Sequence, residues 1–569
     1  MPLNRRNFLQ LLAAGTLADA AAGCTGPAGM MQLPVDFAGR IRGEDPTACH
    51  RLVRGRPRLP PPGAVEADAP LREVVVVGAG LSGLAAAWAL HRAGVDDLLV
   101  LERADDIGGV ARGGHIQGQP CPWGAHYIGL PDPDSPVIMN LLTDVGVITD
   151  FTPEHRPIID PRYRMHKPEV HLYHGRSHSS GFYPWGLATP ADLAELLEFR
   201  RHMYRWSRWR DPDGRPAFQL PLVYATRAEE VRCLDRLTMA AYLDNEGFLS
   251  PLLRGFVDNR LADEYGCLAT EISAYAALLY WAGTGGENEV VGTQPTHARA
   301  LAWPEGNMFL ARRLAGLLPR GAIRTDAFVV AVRNHGDEVH IAELDPRTET
   351  IHVHRARACI FAAPKLRAEL LIPELGTLGR WEHRQLEYTP WLVANLLLTS
   401  CPEHDAKSLA WDNLVHDSWS LGFVNSQHFT TPGQDPEEAF TLTFYASFSG
   451  ERRNPLRRDL LELDWTTWAR LITDELEHVL PDARGQIERL DIWRWGHGMV
   501  RPAPGLLWGG TRDALCQPLG RIHFAGNDAA VLPLYEEAVH RGVAAAEEVL
   551  TRQGRLFTSL IEPTRERLD

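Results

Sequence analysis

Residues 72–114 read REVVVVGAGLSGLAAAWALHRAGVDDLLVLERADDIGGVARGG, and the rest of the chain is organised around them. Val74–Val77 is β-branched and apolar at every position, as a parallel strand buried on both faces requires. It runs into Gly78-Ala79-Gly80-Leu81-Ser82-Gly83, and an apolar helix follows from Leu84 to about Ala93, closed by Gly94. A second strand, Leu98–Leu101, ends on Glu102. Gly78 permits the tight turn, Gly80 removes a side chain where backbone approaches a pyrophosphate, and Gly83 lets helix and strand pack closely. The helix start offers free N–H groups to phosphate. Glu102, about twenty residues beyond Gly83, is placed to accept hydrogen bonds from ribose hydroxyls. Three glycines alone would say little. Strand, turn, helix, strand and acid in one unit specify a dinucleotide site, for a nicotinamide or a flavin cofactor.

The continuation separates the two. Glu102-Arg103 leads to Asp105-Asp106-Ile107-Gly108-Gly109, with Arg112 close behind. Here the chain resembles the flavin-containing amine oxidase and phytoene desaturase superfamily, whose first unit ends in an acid, a Gly-Gly doublet and a nearby Arg. The resemblance implies FAD, with the doublet against its pyrophosphate. The Arg usual directly after the doublet is Val110 here, so Arg112 is its candidate substitute. The same resemblance places Gly124-Ala125, in Cys121–Ile128, beside the flavin ring, with His126 as a pocket candidate or a structural loop histidine. Val329, spaced with Val332 in the family's V-x-x-V manner, is the adenine-side candidate. Near the C-terminus, Phe524-Ala525-Gly526-Asn527-Asp528 resembles the family's F-A-G-[DE] segment, whose following helix turns its N-terminus toward the flavin pyrimidine. Gly526, Asn527, Asp528 and Tyr535 join the cofactor set on that ground. Ala79, Leu81 and Ser82 complete it within the glycine turn.

Two departures bear on chemistry. Many amine oxidases carry a Lys on the strand matching Trp391–Leu398, where this chain has Ala394 and Asn395. The family's aromatic-cage Tyr aligns with Leu534, and Tyr535 follows one place later. Trp495, His497, His126 and Tyr535 are the pocket candidates, and the sequence identifies no catalytic acid, base or nucleophile.

The expected fold is α/β: a GR-like, Rossmann-type FAD-binding domain plus a mixed α+β substrate-binding domain. The FAD domain is assembled from 71–135, 300–370 and 496–552, and the substrate domain from 136–299 and 371–495. A tail covers 553–569. Within the substrate part, helices are expected at Pro190–Arg208, Leu237–Asn245, Pro251–Asp263, Ile272–Trp281 and Leu460–Leu480. Strands are expected at Trp391–Leu398, Ser420–Asn425, Phe440–Phe448 and Ile487–Trp495, forming an antiparallel sheet. In the cofactor part, Ile351–Arg355 and Ala358–Ala362 read as separate strands. Asp263, Glu264 and Tyr265 are candidates to line a cationic pocket, or else a solvated helix end. His171, His174 and His178 lack the ligand spacing of a metal site and read as a solvated loop, so no metal is expected.

The chain's 569 residues are long enough for more than one compact unit. A net charge of −14 gives nucleic-acid binding no electrostatic support. Eight scattered cysteines form no C-x-x-C pair and signal neither zinc nor a disulfide framework. Lysine occurs only at Lys167, Lys365 and Lys407.

Residues 1–30 read as a leader. Arg5-Arg6-Asn7-Phe8-Leu9 is a twin-arginine signal, and Leu11–Ala22 is too short to span a bilayer. Ala21-Ala22-Gly23-Cys24 resembles a lipoprotein cleavage site, with Cys24 either lipidated or plain. A Pro/Gly-rich linker covers 31–70. The expectation is an exported, periplasmic FAD-dependent oxidoreductase, possible lipid anchor at Cys24 included, that removes hydride from a C–N bond of an amine or polyamine. Oxygen or a membrane or periplasmic carrier would take the electrons. The alternatives are oxidation or isomerisation of a lipophilic polyene, and a non-enzymatic flavoprotein.

Overall fold

A computed structural model describes residues 35–43, 70–165, 170–175, 177–283, 300–399, 409–426, 440–450 and 453–562. The leader, Cys24 and most of the linker lie outside the described residues. Two sheets dominate. The first has seven strands in the order Ile323–Arg324, Leu98–Leu101, Leu71–Val77, Ile351–Phe361, Glu338–Leu344 and Phe328–His335, with Ile522–Phe524 paired to the end of Ile351–Phe361. Val76 lies between Val100 and Ile360 in parallel register, and Val74, Val75 and Val76 have no exposed surface. This explains the unbroken β-branched run, because both faces of the strand are covered. Helix Leu81–Arg92 covers one face and packs on helix Tyr535–Arg552. Gly542 permits that contact, since a Cβ there would stand 2.1 Å from the Ser82 carbonyl oxygen.

The second sheet has eight strands: Ala38–Arg42, Ile487–Val500, Tyr388–Leu398, Phe440–Ser447, Gly422–Asn425, Asp412–Val415, Val170–His174 and Ser177–Ser180. Helices from 190–282 pack around one end of it through a second core.

Several expectations change. The four strands expected to pair antiparallel do so, and the sheet as a whole is mixed because Ala38–Arg42 runs parallel to Ile487–Val500 and Asp412–Val415 parallel to Val170–His174. The linker therefore contains a strand. The Asp491 carboxylate, with no exposed side-chain surface, holds that strand through the Arg42 guanidinium and the Arg40 N–H. Ile351–Phe361 is one strand, not two. Its first half pairs with Glu338–Leu344 and its second with Ile522–Phe524. The helix expected at 460–480 is two helices, Arg453–Glu462 and Trp465–Glu477, interrupted where Asp464 caps the second by accepting from Thr467 N–H. The histidine segment is a hairpin on the sheet, not a loop, with His171 and His178 rings stacked at 4.0 Å. Among the described residues no group of side chains could hold a metal ion. Helix Pro136–Asp144 packs in the core of the first sheet. Leu560 joins the same core, which makes the start of the tail part of the fold.

Candidate active site

The glycine turn and the Gly-Gly doublet meet. Gly108 donates its N–H to the Ala79 carbonyl at 2.9 Å, and Gly80 and Gly108 form a parallel bridge. Three glycines here answer three different demands. Gly78 has φ +105°, and a Cβ there would stand 3.2 Å from the Ala362 backbone. A Cβ on Gly83 would stand 1.9 Å from the Gly78 carbonyl oxygen. Gly80 is different, because its φ of −70° suits any residue and its Cβ would meet nothing nearer than Gly109 Cα at 3.9 Å. Neither backbone conformation nor packing requires glycine at 80. The open space there is a cradle that a side chain would fill. Helix Leu81–Arg92 begins at this cradle with no side-chain cap, leaving its first-turn N–H groups for an anion.

Glu102 accepts from the N–H groups of Ala79 at 2.7 Å and Ala104 at 2.9 Å. Burial holds its pKa above the usual carboxylate value despite those bonds and the Arg112 charge. A carboxylate has acceptor capacity beyond two bonds, so ribose hydroxyls can still be received. Arg103, next in the chain, is exposed. Arg112 is nearly buried, paired with Asp105 and placed over the Trp493 ring at 5.0 Å. Ala327 N–H bonds the Glu102 carbonyl at 2.8 Å, which brings the half-buried Val329 to the same end of the cradle. Uncapped helix, side-chain-free cradle and inward acid fit a dinucleotide.

The C-terminal motif reaches the cradle through Gly526, whose N–H donates to Ser82 Oγ at 2.8 Å. Asp528 is engaged by the protein itself. Its carboxylate accepts from Lys365 N–H at 2.5 Å and Tyr388 Oη at 2.8 Å, and it lies 3.5 Å from the Lys365 ammonium. It fixes the loop, whereas Asn527 stays half-buried. Lys365 is 1% exposed and also donates to the Ala363 and Ala525 carbonyls, so it ties the strand-proline return to the C-terminal motif. Only its position just after Ala363-Pro364 could have pointed to it.

Beyond the cradle lies an interior hollow. His126 and Asp263 keep part of their surface accessible here although both titrate as deeply desolvated groups. Desolvation pushes His126 down to about 4, so the ring is neutral. Its ring lies 5.3 Å from Tyr127, 5.6 Å from Tyr445 and 5.9 Å from Trp411. Tyr445 Oη donates to Asp412 Oδ1 at 3.0 Å. Arg260, 1% exposed, donates to Asp263 at 3.2 Å and stacks on Phe182 at 3.7 Å. Burial holds Asp263 and Asp412 above the ordinary carboxylate range, with Arg260 opposing. At the start of helix Tyr535–Arg552, burial pushes Glu536 up to about 8. Arg260, Asp412 and Tyr445 were not singled out from the sequence. Their signal was faint: a charge or hydroxyl inside otherwise apolar stretches.

The other candidates divide. Gly124 is dictated by the protein itself, since a Cβ would stand 2.1 Å from the Val110 carbonyl oxygen, and Ala125 beside it is exposed. Trp495 donates its indole N–H to the Trp123 carbonyl at 2.6 Å, and a Cβ on Gly124 would stand 3.7 Å from its ring. His497 packs edge-on to Tyr388 at 6.0 Å, joining the Asp528 group rather than the aromatic wall. Tyr265 is core, 1% exposed, which removes it from any pocket. Ala394 faces the helical core behind the second sheet. Asn395 is fully buried, donating to the Pro122 carbonyl at 2.7 Å and accepting from Thr443 at 2.7 Å.

The model of a family described as flavin containing amine oxidoreductase matches residues 81–550. AofH of Mycobacterium tuberculosis, which carries the name of a flavin-containing monoamine oxidase, is 26% identical over 493 residues, covering 84% of this chain and 96% of AofH. Cyclohexylamine oxidase from Brevibacterium oxydans superposes with TM-score 0.62 at 20% identity, over 85% of this chain and 100% of that one. Putrescine oxidase bound to putrescine gives 0.61 at 20% identity, over 85% and 100%. The structural likenesses establish a shared fold.

Proposed function

Because the chain belongs to the flavin-containing amine oxidoreductases, and is an FAD-dependent oxidoreductase of that family, we propose that it removes hydride from a C–N bond of an amine or polyamine. The observation that carries the reading is the interior hollow, walled by His126, Tyr127, Trp411 and Tyr445 and holding two carboxylates against one guanidinium. Such a wall suits a cation, through ring faces and through charge. An apolar polyene would offer no partner to the accessible Asp263 carboxyl beside Arg260, which disfavours that alternative.

FAD, when bound, supplies the hydride acceptor. We assign its pyrophosphate to Gly80, Gly108, Gly109 and the first turn of Leu81–Arg92, with Arg112 alongside. Its ribose is assigned to Glu102, and its adenine side to Val329. Asp528 and Lys365 position the Gly526-Asn527 loop rather than touch the cofactor. The neutral His126 ring adds no competing positive charge to an ammonium, and the buried wall excludes water from the reacting carbon. Among the described residues no side chain in the hollow forms a nucleophile–base pair, in keeping with chemistry that rests on orientation and electrostatics.

Asn395 has both its amide groups engaged, so it is unsuited to hold a water as the family's lysine does. We therefore favour a membrane or periplasmic electron acceptor over oxygen. Export by the twin-arginine leader, and anchoring at Cys24, complete the proposal. Anaerobic mixing of the FAD-loaded protein with amines tests it: flavin bleaching supports C–N oxidation, and no bleaching by any amine or polyamine overturns it. Fast recovery with an artificial acceptor and slow recovery in air marks a dehydrogenase.

A further inference from the structure

A second cavity lies at the edge of the first sheet opposite the cradle. Leu71–Val77, Ile351–Phe361 and Ile522–Phe524 run parallel, so that their ends approach the glycine turn while the opposite edge carries Glu73, Arg357 and Arg521. A cavity of about 340 Å³ opens there, bounded on its other side by the end of helix Tyr535–Arg552 and the residues that follow it. Four guanidiniums line it, from Arg357, Arg521, Arg552 and Arg555, against one carboxylate, Glu73. In a chain of net charge −14 this is a local reversal of sign. Glu73 is taken by Arg555 at 2.6 Å, and Arg521 reaches the exposed Asp337 at 2.8 Å. Arg552 donates to the Gly520 carbonyl, and among the described residues neither Arg552 nor Arg357 forms an ion pair.

The wall also holds polar atoms that the protein leaves unpaired. His523, 2% exposed, pairs its Nδ1 with Glu548 at 3.0 Å, and its Nε2 meets no partner. The Gln553 side chain has both its amide oxygen and its amide nitrogen buried without a bond. Such atoms are rare in folded proteins, and here they share one positively charged cavity. The helix end does not oppose an anion. Helix C-termini ordinarily present carbonyls that repel negative charge. Here the Val549, Leu550 and Thr551 carbonyls accept from Gln553, Arg555 and Gly554 N–H groups at 3.0 Å each, with Gly554 at φ +68°.

We propose that this cavity binds a soluble phosphate-bearing anion of two or more charges, a phosphomonoester or a pyrophosphate. Guanidinium forks match phosphate oxygens in both geometry and charge. The Gln553 nitrogen can donate to the same oxygens, while its carbonyl and His523 Nε2 can receive hydroxyls of the ligand's body. A phospholipid diester carries a single charge and answers fewer of these groups. The site stands apart from the cradle and does not depend on the amine reading.

The test uses the FAD-loaded full chain, so that the cradle is already filled. Isothermal titration with inorganic pyrophosphate and with glycerol 3-phosphate, at ionic strength held constant with sodium chloride, is expected to show one saturable site per chain. The melting temperature should rise with it. Arg357→Gln combined with Arg552→Gln removes two guanidiniums that form no ion pair, and should weaken affinity by about tenfold or more with flavin content unchanged. Gln553→Met keeps the length of the side chain, removes the amide, and should weaken both probes by a smaller factor. A wild type with no saturable heat from either probe overturns the inference whatever the variants do. So does a melting temperature raised equally by sodium chloride, which marks screening of the arginines. Unchanged affinity in the double variant also overturns it, because the anion is then bound elsewhere. Binding confined to phosphatidylglycerol vesicles would overturn it too, making the patch a membrane contact.

Discussion

The cradle and the hollow are built in opposite ways. The cradle is made of backbone: Gly80, Gly108 and uncapped N–H groups within one continuous stretch, with a single acid, Glu102, at its edge. The hollow is made of side chains brought from four distant parts of the chain, His126, Arg260 with Asp263, Asp412, and Tyr445. A backbone site writes itself as spacing, because glycines must stand where the chain turns or a ligand approaches. A side-chain site needs only that particular atoms converge in space, and no local rule constrains what separates them.

The largest expected effect breaks the cradle alone. Gly80→Val should abolish FAD retention, with purified protein colourless and far-UV circular dichroism unchanged. The protein itself has room for the new side chain, since the nearest atom to its Cβ is 3.9 Å away. Gly83→Val should instead prevent folding, because its Cβ stands 1.9 Å from a carbonyl oxygen. Yellow, normally loaded Gly80→Val protein would show that the cradle holds something else.

Next in size is a break in the hollow. Arg260→Ala leaves Asp263 and Asp412 enclosed with no cation and should cost about 3–5 kcal/mol, the range for stripping one partner from a buried ion pair. Lower thermal stability with FAD still bound would show the two regions to be separable. An unchanged melting temperature would mean that water already compensates these acids.

These two variants also mark what was legible in the sequence. Val74–Val77, the glycine turn and Glu102 each appear where their pattern placed them, because strand periodicity and turn sterics are local. The helices at 190–208, 239–245 and 251–264 followed from their apolar spacing. Ala38–Arg42 escaped notice because a five-residue edge strand within a Pro/Gly-rich stretch is defined only by its partner, Ile487–Val500. Asp464 escaped because an N-cap acid between two amphipathic stretches reads as one more polar position of a longer helix. Asp528 stands in a recognisable motif, but the partners that hold its carboxylate, Lys365 and Tyr388, are more than a hundred residues away in sequence, where no local pattern points to them.

A pH experiment sharpens the comparison at the boundary of the two regions, where helix Tyr535–Arg552 begins. Desolvation, reinforced by Glu537, lifts Glu536 from 4.5 to about 8, although its own backbone N–H opposes the shift. For an acid raised in the folded state, the stabilising contribution is complete below about pH 4.5 and is lost as pH rises through 8. Glu536→Gln cannot ionise, so its stability relative to wild type should rise between pH 5 and 9. The gain is expected on the order of 3 kcal/mol after discounting for the accessible face. Parallel melting-temperature curves for the two proteins would show Glu536 to be as well solvated in the folded protein as in the unfolded chain.

The smallest expected effect concerns the joint between the regions. Tyr388 belongs to the second sheet, yet its hydroxyl donates to Asp528 in the C-terminal motif that also reaches Ser82 in the cradle. Tyr388→Phe removes one donor from a buried carboxylate that retains the Lys365 N–H and ammonium. The loss should be about 1.5–3 kcal/mol, the range for a hydrogen bond to a charged group. Because Asp528 holds the Gly526 loop, part of that loss should also appear as faster FAD release, measured by dilution into FAD-free buffer. If stability falls while FAD release stays unchanged, the joint is purely structural and the cradle is rigid without it. If both change together, the second sheet governs cofactor retention through a single hydroxyl.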